Sequence, residues 1–134
     1  MAIVTDTAPG LEDFEEMAAA AWSQMPEIFR ARCGSVLIRV ADFAEDEMLD
    51  EIGIEDAFEL TGLYEGVALT EKSFSDPVAM PDSVWLFRRA ILDEWAARGD
   101  VPLDRLIAHV LVHEIAHHFG MSDDDIAAID DWRL

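Results

Sequence analysis

The chain has 134 residues, 51% of them hydrophobic, which suits a single folded domain with one real core and excludes a disordered segment. Nine Lys and Arg stand against 29 Asp and Glu, a formal charge of −20. A field of that sign repels phosphate backbones and anionic lipid, so neither nucleic acid nor a membrane surface is expected as a partner; it favours cationic segments, or serves only as a solubilising coat.

The opening stretch MAIVTDTAPG carries no basic region followed by a long apolar run, so no secretory signal is expected and residues 1–10 read as a flexible lead. No apolar stretch approaches the ~18 residues of a membrane span. The one cysteine, Cys33, cannot form an internal disulfide and reads as a core thiol. A reduced, cytoplasmic setting follows as the expectation.

LEDFEEMAAAAWSQM, residues 11–25, places Phe14, Met17, Ala18, Ala21, Trp22 and Met25 at helical spacing. Its early acids Glu12, Asp13, Glu15 and Glu16 suit the positive end of a helix dipole. Pro26 interrupts this helix, or opens a last turn running through Phe29 to about Cys33. Next, SVLIRVA reads as a strand from Ser35 to Ala41, and AEDEMLDEIGIED as an acidic loop with one short helical turn. LTGLYEGVALTEKS, broken by Gly62 and Gly66, reads as a twisted or bulged strand around Leu63 to Leu69.

A surface loop, SFSDPVAMPDS, leads to a third strand, SVWLFRR, residues 83–89. A helix from about Ile91 to Arg98 follows, ended by Gly99-Asp100. Pro102 sits well for the start of the next helix, Leu103 to Phe119, which is apolar around most of its circumference and should run through the core. Gly120 stops it, and Ser122 with Asp125 marks the start of a short terminal helix. The sum is an α+β domain in which a small sheet of about three strands, of mixed direction, packs on about four helices.

That buried helix holds HEIAH, residues 113–117, within a stretch carrying all four histidines of the chain. Side chains four apart stand one above the other on a helix, so His113 and His117 can both reach one cation, with Zn–N bonds of ~2.0–2.1 Å. Glu114 projects from an adjoining part of the surface and can take a proton from a metal-activated water without filling a coordination position. A catalytic zinc needs a third protein ligand and one open position. His113, His117, Gly120 and Asp123 reproduce the metzincin spacing, in which the third ligand follows the helix-ending Gly by three residues. Most metzincins carry His there; here Asp123 would supply oxygen, with Asp124 and Asp125 as fallbacks.

With these residues the chain resembles the short bacterial zincin-like, or minimal metzincin-like, metallopeptidases. The segments LTGLYEGVALTEKS, SVWLFRRAI and VLVHEIAHHFGMSD look like that family's in the same order, and the resemblance covers roughly residues 11 to 130. It implies a compact zincin-like fold, one Zn2+ and a peptide or protein substrate, cleaved by a water activated with Glu114 as base. Two features depart from the larger metzincins. No Met follows Asp123, so their downstream Met-turn has no counterpart, and little chain is available to build a deep cleft. A metal-binding protein of the same fold without useful proteolysis, in an adaptor or regulatory role, is the alternative.

The remaining candidates have plainer readings. His118 projects about 100° away from His117 and suits packing or a supporting hydrogen bond. His109 shares the face of His113 but lies too far from His117 for a three-histidine site on a straight helix. Tyr64, the only tyrosine, could donate to a developing oxyanion, but fits better as a strand aromatic packed on the sheet. Arg88 and Arg89 could bind a substrate carboxylate, though surface charge is the simpler role.

Overall fold

The computed structural model describes residues 8–27, 30–31, 36–66 and 82–118. Helix α1 (Leu11–Gln24) buries Phe14, Ala18 and Ala21, three of the positions its spacing selects, and the Gly10 N–H donates to the Asp13 carboxylate at 2.8 Å. The helix ends before Met25, which is extended (φ −66°, ψ 151°) as a residue preceding proline should be. The Arg30 N–H then donates to the Pro26 carbonyl at 3.1 Å, a helical turn opened by the proline. Cys33 lies outside the described residues.

Strands β1 (Val36–Ala41), β2 (Gly62–Glu65) and β3 (Asp82–Phe87) form one sheet in the order β1-β3-β2. β1 runs parallel to β3 and β2 antiparallel to it, so the sheet is mixed, as expected. Alternation sorts its side chains. Val36, Ile38, Val40, Val84 and Leu86 face the main core, whereas Leu63, Trp85 and Phe87 face a smaller cluster with Leu49, Leu60 and Ala90. Val67 to Leu69, the far end of the expected second strand, lie outside the described residues.

The acidic stretch after β1 is more ordered than its composition suggests. It holds a helix, α2 (Asp46–Ile52), and not a single turn. Leu49 is buried in the smaller cluster, and Gly53, in the left-handed region at φ 74°, closes the helix. Helix α3 (Arg88–Arg98) begins directly at the end of β3, three residues before the expected start. The Asp42 carbonyl accepts from the Arg89 N–H at 3.0 Å and so satisfies one of the first-turn donors. Arg88 donates to the Pro9 carbonyl at 2.7 Å and pairs with the Asp42 carboxylate at 2.9 Å. Gly99, at φ 77°, ends α3 as predicted.

Helix α4 (Leu103–His118) opens after Pro102, whose carbonyl accepts from both Arg105 and Leu106 at 3.1 Å. Ile107, Ala108, Leu111, Val112, Ile115 and Ala116 are completely buried, so this helix does run through the core. It packs on α1 along one side and on β2 and β3 along another. Phe119, the Gly120 stop and the expected terminal helix lie outside the described residues. No helix among the described residues is long and apolar enough to cross a membrane.

Candidate metal centre

Among the described residues, one strip of the surface of helix α4 is left partly uncovered, and His109, His113 and His117 lie along it. His109, His113 and His117 follow one another at four-residue intervals, the first two half-buried and the third exposed. The His109 and His113 rings lie 4.1 Å apart between centroids, tilted by 44°. Those of His113 and His117 lie 5.8 Å apart, tilted by 49°. Two imidazoles bound to one zinc at ~2.0–2.1 Å with tetrahedral angles would have ring centres about 5 Å apart, close to the separation of this pair. Imidazole nitrogen is also a donor that zinc and its neighbours accept readily.

The strip opens into a pocket of about 220 Å³ lined by His109, Val110, His113, Glu114 and His117 from α4, Thr61 from the approach to β2, and Glu94 and Arg98 from α3. Glu94 and Arg98 are paired at 3.0 Å across one helical turn. Burial pushes the Glu114 carboxyl above the usual carboxylate range; the charge of His117 and a hydrogen bond from the Tyr64 backbone N–H pull it part of the way back. A carboxylate with raised proton affinity, half-buried beside two imidazoles, is suited to accept and return a proton. A larger hollow of about 570 Å³ lies beside Arg39, Leu63 and Trp85, but no histidine lines it.

His113, Glu114 and His117 are therefore brought together at one pocket. Among the described residues no group of three His, Cys, Asp or Glu could hold a metal, so the described donors are the histidine pair. Asp123, the expected third ligand, lies outside the described residues, as do Asp124 and Asp125; so does the side chain of His118. His109 is half-buried, with its ring packed on that of His113, as a histidine at the margin of the core. The Tyr64 hydroxyl donates to Asp82 Oδ2 at 2.7 Å, and the residue packs against the main core, which supports its plainer reading as a strand aromatic. Arg88 fastens α3 to the chain before α1 and to Asp42, while the Arg89 guanidinium sits 5.6 Å over the Phe43 ring.

Sequence reasoning missed two contributors from β2. A Cβ on Gly62 would lie 2.8 Å from Val110 Cγ1 and 3.0 Å from Glu114 Cγ, so α4 approaches the strand where no side chain intervenes. The Tyr64 backbone N–H is the other, through its bond to Glu114. A glycine inside a strand pattern is a signal of close approach, but it does not name the approaching helix.

The model of a family described as zincin-like metallopeptidase matches residues 33–133. No curated protein matches the chain. The match starts beyond α1, although that helix packs directly on α4.

Proposed function

The chain belongs to the zincin-like metallopeptidase family, and on that footing we propose that it is a zinc-dependent peptidase with its site on α4. The observation that carries the reading is the grouping of His113 and His117, on successive turns, with the carboxyl of Glu114 in the same pocket. His113 and His117 would hold one Zn2+, with Asp123 as third ligand by the spacing of the motif. Bound there, zinc supplies a Lewis acid that polarises the scissile carbonyl and makes a water more acidic. Glu114 takes the proton from the attacking water and passes it to the leaving amine as the C–N bond breaks. Its raised proton affinity suits both transfers.

The substrate would be an extended peptide. The test combines elemental analysis with digestion of a broad peptide library by the parent chain and by Glu114→Gln. The expected result is about one zinc in each and cleavage by the parent alone. Stoichiometric zinc with no cleavage by the parent would favour a metal-binding adaptor of the same fold, and equal cleavage by both would remove Glu114 as the base.

A further inference from the structure

We propose that β2 is the support that aims Glu114: the Tyr64 backbone N–H fixes one carboxylate oxygen, and Gly62, by lacking a side chain, lets the Glu114 stem lie against the strand. The strand's register makes this possible. The Thr61 carbonyl accepts from the Phe87 N–H at 2.9 Å, and Leu63 stands opposite Trp85. In an antiparallel pair the ladder bonds belong to alternate residues, so 61, 63 and 65 turn their backbone groups to β3 while 62 and 64 turn theirs to the outer edge. The Tyr64 N–H is therefore outside the ladder and meets the carboxylate arriving from α4.

The support is itself held firmly. The Tyr64 hydroxyl reaches Asp82 on β3 at 2.7 Å, and on the next residue Glu65 accepts from the Trp85 indole N–H at 2.6 Å. Both anchors tie β2 to the central strand, so the N–H that faces Glu114 has a fixed origin. At Gly62 the fit is close on several sides, since an added Cβ would meet the Trp85 carbonyl at 3.2 Å as well as Val110 and Glu114. The terminal torsion of a glutamate is broad and roughly two-fold. One oxygen engaged by a fixed donor leaves the other directed for proton transfer. Tyr64 and Gly62 are thus positioning residues, acting through Glu114 without touching substrate.

The kinetic part of this inference rests on the peptidase reading; the structural part does not. Amide hydrogen exchange on the metal-free full chain should show the Tyr64 N–H protected. In Glu114→Ala it should exchange at least about tenfold faster, with the Leu63 and Glu65 amides unchanged. Equal Tyr64 exchange in the two proteins would overturn the proposal. In the zinc-loaded chain, Gly62→Ala should lower kcat about 10- to 100-fold with KM and zinc affinity within about twofold, the signature of a misplaced group and not of lost binding. Adding Val110→Ala removes the Val110 clash and should recover the melting temperature while kcat stays low. Recovery of kcat would reduce Gly62 to packing and overturn its part. A parent that cleaves no peptide would count against the peptidase reading, and the exchange measurement would still decide this one.

Discussion

The rings of His113 and His117 stand 5.8 Å apart on successive turns of a helix whose neighbouring faces are completely buried. Their separation is set by the helix, and the helix is set by the core, so the fold itself holds the pair at this spacing. Replacing either His113 or His117 with Ala should therefore lower zinc affinity at least about 100-fold, more than the ~10- to 100-fold that outer supporting residues carry. Chelator competition measures it. Far-ultraviolet circular dichroism should stay unchanged, since both rings lie on the uncovered strip.

Asp123 enters through spacing alone, and its neighbours provide an internal control. Asp123→Asn should weaken zinc binding by a similar factor, because an amide oxygen is a poorer donor than a carboxylate. Asp124→Asn and Asp125→Asn should leave affinity within about twofold. If Asp124→Asn or Asp125→Asn gives the large loss and Asp123→Asn does not, the third ligand has been misassigned.

Glu114 makes stability depend on pH in a definite direction. Burial raises its pKa in the folded chain above that in the unfolded chain, so folding favours the protonated form. Below the unfolded value both states hold the proton and there is no penalty. As pH rises through the folded value, the cost of the buried charge appears and stability is lost. Metal-free Glu114→Gln should thus melt higher than the metal-free parent at about pH 8, and the difference should vanish towards about pH 4. A difference that grows on acidification would contradict the burial.

The parts of this fold written in local pattern were readable, and those set by distant contacts were not. The apolar circumference of α4 marked a core helix, and its His-Glu-x-x-His spacing put His113 and His117 on successive turns with Glu114 in the same pocket, because both features are complete within a few turns of chain. α2 was underestimated for the opposite reason. In an acidic run, Leu49 has meaning only through Phe87 and Ala90, which arrive from β3 and α3. The early start of α3 likewise depends on Asp42, whose carbonyl caps the Arg89 N–H from the end of β1. Gly62 could be recognised as a break in a strand, but the press of Val110 and Glu114 on it is a tertiary fact.

Metal should also be visible in stability. A ligand that binds the folded state alone stabilises it by RT ln(1 + [L]/Kd), about 2.7 kcal/mol at a hundredfold excess over Kd. For a domain of this size each kcal/mol moves the melting temperature by roughly 4 °C, so saturating zinc should raise it by about 10 °C, and a strong chelator should reverse the rise. Glu114→Gln should keep this shift, since Glu114 is not a ligand in the proposed site; His117→Ala should lose it. Differential scanning calorimetry of the three proteins, with and without zinc, separates metal binding from turnover. A full shift in His117→Ala would mean that the stabilising ion sits elsewhere on this acidic chain, and the α4 site would have to be abandoned as its location.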